Sequence, residues 1–177
     1  GLITLSARGN VIREVNFEHF RFGRVVELDV SENQICSIRG VESMSSLRTL
    51  NVNKNPLSEP FKVAAAMPRL KHLSLNSCGL MTLDVSQFPS LRTLEVDNNS
   101  LSTITGLGDL KKLDLLSMCA QDLDEGFRIK IFDTPMEAQT IRLSRNTIPD
   151  LQLNHAFLSV KHLDLSDTGL TIIPSNF

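Results

Sequence analysis

A short pattern of apolar residues recurs along the whole chain and constrains its fold more than any other feature. The pattern is L-x-x-L-x-L-x-x-N-x-L, in which L stands for an apolar residue. It fits the sequence eight times, with successive ninth positions 21 to 25 residues apart. The ninth positions are Asn10, Asn33, Asn55, Cys78, Asn99, Gln121, Asn146 and Thr168. Repeats of this length predict a solenoid, in which each repeat buries its apolar face against its neighbours.

The alternating L-x-L centre of each repeat predicts a short strand whose apolar side chains point inward. Successive strands would lie side by side, about 4.8 Å apart, and form a parallel concave sheet. The amide at the ninth position would turn inward and bond backbone groups of the loops. Cys78 occupies this position in the fourth repeat, so we interpret it as a structural residue and not a reactive thiol.

The connections between strands vary along the chain. Ser58 to Pro60, followed by the run 61–67 and then Pro68, predicts a capped helix. The run 154–160 is a second candidate helix, and 125–134 predicts a local excursion in the longest repeat.

Two repeats share a further motif, because 38–44 reads I-x-G-V-x-x-M and 104–110 reads I-x-G-L-x-x-L. With a period near 22 residues, this tail resembles the intracellular class of leucine-rich repeats typified by the regulatory subunit of type-1 protein phosphatase. The resemblance covers essentially the whole chain and implies an α/β solenoid of about eight repeats. It also implies a horseshoe shape, a parallel concave sheet and helical or 3-10 convex segments. We expect one leucine-rich-repeat domain over 1–177, as a fragment of a longer protein.

A second resemblance concerns the stretch 40–57, GVESMSSLRTLNVNKNPL. It is similar to the leucine-rich domain of fungal spindle-pole scaffolds that anchor the septation-initiation or mitotic-exit network and are related to centriolin. The resemblance implies a protein-binding scaffold inside the cell, in the cytoplasm or at the spindle pole body or centrosome. No binding-residue set defines that family, so no residue role transfers.

Composition and motifs argue against several functional classes. The net charge of −2 gives no reason to expect nucleic acid or an anionic membrane as a ligand. No apolar run reaches the roughly 18 residues of a membrane helix. The four histidines lack metal-binding spacing, and no nucleophile elbow or phosphate-binding loop is present. We therefore expect no cofactor, no metal and no enzymatic activity. The three cysteines favour free thiols in a reducing compartment.

The outward strand residues form the exposed concave face, where partners usually bind solenoids. Arg48, Lys71 and Arg92 share one template position in consecutive repeats, so they should form a ladder with a rise of about 4.8 Å. Like charges this close predict an acidic or phosphorylated peptide as ligand, because guanidinium groups hold its oxygens bidentately. The remaining members of the predicted contact set are Lys54, His72, Leu115, Arg142 and Arg145.

Leu115 belongs to a less polar notch in the sixth repeat, which would seat an apolar anchor of the peptide and expose the thiol of Cys119. Alternatives stay open. The first alternative is that the ladder is a solvated face whose charges are relieved by Glu95, Asp97 and salt. Two other functions are open for the whole chain. It is either a self-associating structural module that forms homo-oligomers through its ends, or the regulatory subunit of a phosphatase-like enzyme. The phosphatase regulators use concave aromatic residues, whereas this chain has no Trp or Tyr.

Overall fold

In the computed structural model, the chain coils into a β-solenoid in which the strands have three residues each. The structure describes residues 1–19, 23–58, 60–124, 126–127, 136–148, 151 and 159–173. In chain order, the strands are β1 (Thr4–Ser6), β2 (Glu14–Asn16), β3 (Glu27–Asp29), β4 (Ser37–Arg39), β5 (Thr49–Asn51), β6 (His72–Ser74), β7 (Thr82–Asp84), β8 (Thr93–Glu95), β9 (Thr103–Thr105), β10 (Leu115–Ser117), β11 (Thr140–Arg142) and β12 (His162–Asp164). The main sheet is parallel throughout and has the order β1-β3-β5-β6-β8-β10-β11-β12.

The middle residue of each main-sheet strand points into the solenoid core, as the alternation predicts. In the six inner strands this residue is at most 1% exposed: Leu28, Leu50, Leu73, Leu94, Leu116 and Ile141. Leu5 and Leu163, in the two end strands, are only half-buried because each has a neighbouring strand on one side alone. The structure thus supports a β-solenoid of about six packed turns, and eight equivalent repeats are not supported.

Inward side-chain amides at the ninth template position join successive turns. The Nδ2 of Asn55 donates to the carbonyl oxygens of Val30 and Val52 at 3.1 and 2.7 Å. Its Oδ1 accepts a hydrogen bond from the N–H of Ile35 at 2.9 Å. Equivalent bonds are made by Asn33, Asn99, Gln121 and Asn146. Each amide satisfies buried backbone groups of its own turn and of the preceding one, which confirms the predicted inward column.

Two smaller parallel sheets, β2–β4 and β7–β9, lie outside the main sheet and were not expected from the sequence. Their middle residues include Ile38 and Leu83, which are buried in the core. At the corresponding place in the third repeat stands Pro60, which has no N–H to donate to a strand ladder. The second layer is therefore split into two pairs of strands.

The helix predicted at 61–67 is wrong. Phe61 and Met67 do bury their side chains, but the described residues 60–67 form only bends and irregular backbone. The N–H of Met67 donates to the carbonyl oxygen of Gln87 in the next turn at 2.8 Å. So short a segment gains few internal helical bonds, so bonds between turns prevail over bonds within a helix.

Within the described residues, the helical segments are two 3-10 helices, Val41–Ser43 and Leu107–Asp109, and no α-helix occurs. Apart from these two 3-10 helices, the predicted helical convex segments are not supported. The candidate helix at 154–160 and the excursion at 125–134 lie largely outside the described residues.

The residue before each column position adopts a left-handed backbone. In the first repeat it is Gly9, with φ of 71°. In the later repeats φ lies between 51° and 59° at Glu32, Lys54, Ser77, Asn98, Ala120, Arg145 and Asp167. This conformation costs an ordinary L-residue about 1–2 kcal/mol. The strain recurs in every repeat because the chain must turn there to direct the next side chain inward.

Replacing Asn55 with Ala is expected to lower the free energy of unfolding by about 3 kcal/mol, because three buried backbone groups lose their partner. The measurement is urea denaturation followed by circular dichroism. Asn10→Ala is the matched control, since Asn10 has the same template position but is exposed. We expect it to cost less than about 1 kcal/mol. Equal losses would contradict a structural role for the buried column.

Replacing Ala120 with Gly is expected to stabilise the fold by about 0.5–1 kcal/mol, because Gly adopts the left-handed backbone without a Cβ penalty. Gly9→Ala makes the reverse change at the same template position, where an added Cβ meets nothing within 4 Å. It should destabilise by about 1 kcal/mol through backbone strain alone. Melting temperatures that move in the same direction for both variants would refute this account.

Candidate functional site

Arg48, Lys71 and Arg92 lie on three neighbouring turns and are called the basic row below. The N–H of Lys71 donates to the carbonyl oxygen of Arg48, and the N–H of Arg92 donates to that of Lys71, both at 2.8 Å. These bonds place the three backbones at the spacing of adjacent strands, about 4.8 Å. Arg48 and Arg92 are exposed and Lys71 is half-buried. The adjacency expected from the template is therefore present.

A second row, next in sequence to the basic row, carries hydrogen-bonding groups. His72 is in register with Thr49 on one side and Thr93 on the other. The His72 side chain is exposed, and the two threonines are half-buried. Hydroxyl and imidazole groups beside guanidinium and ammonium groups form a surface that can donate several hydrogen bonds to one anion.

Ion pairs divide the predicted contact set into neutralised and free cations. Arg92 Nη1 lies 3.1 Å from Asp114 Oδ2, and Lys54 Nζ lies 2.9 Å from Glu32 Oε1. In contrast, Arg48 and Lys71 form no ion pair with any described residue. The uncompensated positive charge of the basic row therefore lies at its first two members.

Three predicted contact residues lie apart from the basic row. Arg142 is exposed and is in register with Asp164, whose pKa is lowered by hydrogen bonds from Ser166 and, to a lesser extent, by the charge of Arg142. Arg145 is also exposed. Leu115 is half-buried in β10, between β8 and β11. The structure thus does not bring the two later arginines next to Arg48 and Lys71.

The predicted notch in the sixth repeat is largely closed. Asp97 Oδ1 accepts hydrogen bonds from Ser117 Oγ at 2.8 Å and from the N–H of Cys119 at 2.7 Å. Cys119 is only 5% exposed, so the prediction that it carries the most exposed thiol is wrong. Cys36 is half-buried and is the most accessible of the three cysteines. Cys78 is fully buried, and burial raises the pKa of its thiol to about 11, which confirms its structural role.

Short polar side chains at the seventh template position form a hydrogen-bonded chain that the sequence analysis missed. Asn53 Oδ1 accepts from the N–H of Asn76 at 2.6 Å, and Asn76 Oδ1 accepts from the N–H of Asp97 at 2.7 Å. The recurrence of Asn and Asp at one template position was the available signal. These bonds hold the strand ends of adjacent turns in place beside the basic row.

Over the described part of the chain, no helix combines the length and apolarity needed to cross a bilayer. The same residues contain no cluster of three His, Cys, Asp or Glu side chains placed to hold a metal ion. The largest groove described, about 560 Å³, lies between β4 and residues 60–64 rather than on the main sheet.

No protein-family model matches the chain. It is 31% identical over 167 residues to the septation initiation network scaffold protein cdc11 of Schizosaccharomyces pombe, which is 93% of this chain and 16% of that protein. It is 32% identical over 110 residues to tubulin-specific chaperone E of Rattus norvegicus (54% of this chain, 21% of that protein). It is 30% identical over 108 residues to the putative leucine-rich repeat protein R380 of Acanthamoeba polyphaga mimivirus (60% and 23%).

Among solved structures, the functional domain of InlJ from Listeria monocytogenes, described as including a cysteine ladder, superimposes with a TM-score of 0.53. It is 15% identical, and the match covers 95% of this chain and 49% of that one. The chain is a leucine-rich-repeat solenoid. It spans less than a quarter of the length of each of the three relatives. In this leucine-rich-repeat chain, the column position is taken by Cys once, at Cys78.

The ion pairs of Glu32 predict a pH dependence of stability. Hydrogen bonds from Lys54 and Arg8 lower the pKa of Glu32 from 4.5 to about 2. A carboxylate with a depressed pKa stabilises the fold above its unfolded pKa and loses that contribution as the pH falls towards its folded pKa. The difference in Tm between the wild type and Glu32→Gln should have its maximum value at pH 7. It should decrease as the pH falls from 4.5 to about 2.

Thermal unfolding across this pH range measures the effect. Raising the salt concentration to about 1 M at pH 7 is the control. The Debye length is then about 3 Å, so salt screens the attraction between exposed charges. The Tm difference should then decrease without any change in protonation. A difference that is independent of both pH and salt would rule out an electrostatic contribution from Glu32.

Proposed function

We propose that this solenoid is a non-catalytic scaffold that binds a protein partner on its concave face. The observation that carries the proposal is the free positive charge of Arg48 and Lys71, side by side on adjacent turns. Thr49 and His72 follow them in the sequence and add further hydrogen-bonding groups. An acidic or phosphorylated peptide suits this surface, because its oxygens would satisfy cations that no described carboxylate neutralises.

The similarity to relatives supports a scaffold role in the cell interior. The names scaffold protein and tubulin-specific chaperone both describe proteins that engage other proteins. The match to the septation scaffold extends over 93% of this chain, in agreement with the resemblance seen in 40–57. We therefore propose that the chain works in the cytoplasm, with the spindle pole body as the site that this resemblance implies.

A second candidate function is self-association through the ends of the solenoid. The first turn exposes Leu2, Ile3 and Val11 by 50%, 60% and 76%, and the last described turn exposes Ile172 and Ile173 by 77% and 75%. Apolar ends of this kind need a cap or a partner. Sedimentation velocity distinguishes this candidate, since pairing through the ends would make the mass depend on concentration.

The concave proposal is tested by affinity capture from cell extract with Arg48→Glu/Lys71→Glu. We expect the double variant to lose at least about tenfold in capture, because two attractive contacts become repulsive. Its circular dichroism should be unchanged, since neither side chain is fully buried. Arg69→Glu/Lys112→Glu is the matched control: it reverses two exposed charges that belong neither to the basic row nor to the predicted contact set.

One result of this experiment would count against the proposal, and another would narrow the class of ligand. Capture that is unchanged in Arg48→Glu/Lys71→Glu would show that the basic row does not bind the partner. Partners that persist after phosphatase treatment of the extract, yet are lost with the double variant, would restrict the ligand to acidic peptides without phosphate.

A further inference from the structure

The largest groove described lies in the gap between the two small sheets, which the concave proposal does not use. One wall is strand β4, and the opposite wall is the segment 60–64. The apolar lining comes from Ile38, Leu57, Phe61 and Val63. A groove of about 560 Å³ falls within the range of about 300–1,000 Å³ that is typical of ligand sites.

On the groove side, β4 pairs with no strand among the described residues. The N–H of Ser58 donates to the carbonyl oxygen of Cys36 at 3.1 Å, as the first residue of a pairing strand would. Beyond this bond, no hydrogen bond joins Ser37–Arg39 or Gly40 to the third turn among the described residues. Because alternate residues of a strand direct their backbone groups to the same side, Ile38 presents its N–H and C=O to the groove. The N–H of Gly40, two residues further along the chain, faces the groove as well.

Pro60 explains why this edge stays open. It stands at the position of the central strand residue in the third repeat, where its fixed φ and missing N–H disfavour a regular strand. Pro60 is exposed, whereas the following Phe61 is buried and packs near Phe88, with ring centroids 6.3 Å apart. The anchored Phe61 holds the segment in place beside β4 without completing the sheet.

The charged residues in the described lining of the groove are both basic. Arg39 and Lys62 belong to the lining and are exposed, and the described lining contains no carboxylate. Outside the lining, hydrogen bonds from Ser86 lower the pKa of Asp84, and the charge of Lys62 lowers it more weakly. Glu14 lies on the other side of β4, in register with Ser37. An occupant with carboxylates is therefore favoured over one with ammonium groups.

We propose that the edge of β4 binds an extended acidic segment of a protein partner by strand addition. The segment's backbone pairs with Ile38 and Gly40, its carboxylates lie beside Arg39 and Lys62, and its alternate apolar side chains contact Val63 and its apolar neighbours. Strand addition draws affinity from main-chain hydrogen bonds and specificity from alternate side chains. This site is separate from the concave face, so the two proposals stand or fall independently.

The experiment selects random twelve-residue peptides, displayed on phage, against the intact chain. We expect selected peptides to be rich in Asp and Glu that alternate with apolar residues. Their binding is located through Cys36, a half-buried thiol that lines the groove, whereas Cys78 and Cys119 are buried. A synthetic selected peptide should slow iodoacetamide alkylation of Cys36 at least about fivefold, as mapped by mass spectrometry, because alkylation requires an accessible thiolate.

Variants of the chain then show which residues contact the selected peptide. Arg39→Glu/Lys62→Glu should weaken the selected peptide at least about tenfold by repulsion. Val63→Trp should weaken it without any change of charge, by filling the groove, and it covers the case in which charge reversal impairs folding. Arg69→Glu/Lys112→Glu is the matched control and should bind as the wild type does, because these exposed charges lie outside the groove lining and the basic row. Loss of binding in Arg48→Glu/Lys71→Glu would instead place the peptide on the concave face and overturn the groove proposal.

The proposal is overturned if no peptides are enriched, if selected peptides leave Cys36 alkylation unchanged, or if both groove variants bind as well as the wild type. Protection of Cys36 that grows with protein concentration in the absence of peptide would also overturn it. That result would assign the β4 edge to a second copy of the chain.

Discussion

The inward amide at the ninth template position is the interaction on which the rest of the solenoid depends. A coil of three-residue strands leaves many loop N–H and C=O groups buried between turns, and an unpaired buried group costs about 1–3 kcal/mol. Asn55 shows the solution, since one side chain bonds Val30 and Ile35 of the preceding turn and Val52 of its own. The left-handed residue before each column position is the conformational cost of directing that amide inward.

Once the turns are stacked in this register, equivalent residues of successive repeats must become neighbours. The basic row follows from this constraint, because Arg48 and Lys71 share a template position and a backbone hydrogen bond. The same constraint brings Glu32 next to Lys54 and Arg92 next to Asp114. Some cations are thereby neutralised and others remain free, and the free ones define the proposed concave site.

The second proposed surface, the groove beside β4, lies where Pro60 interrupts the repeat pattern. Pro60 cannot act as the central residue of a strand, so the outer layer is divided and the edge of β4 lacks its neighbour. Regular turns thus present a charged row on the main sheet, and the irregular third turn leaves an apolar groove with Arg39 and Lys62 at its border. The two surfaces differ in chemistry because one depends on side chains alone and the other also offers backbone groups.

The sequence by itself determined the solenoid, the strand positions of the main sheet, the inward column with buried Cys78, and the adjacency of Arg48 and Lys71. All of these follow from local alternation and repeat spacing, which are readable along the chain. Only the tertiary structure decided which charges pair, why Cys119 is buried against Asp97, and why 61–67 bonds to the next turn in place of forming a helix. Those outcomes depend on groups about 20 or more residues apart, whose geometry exists only after the turns have stacked.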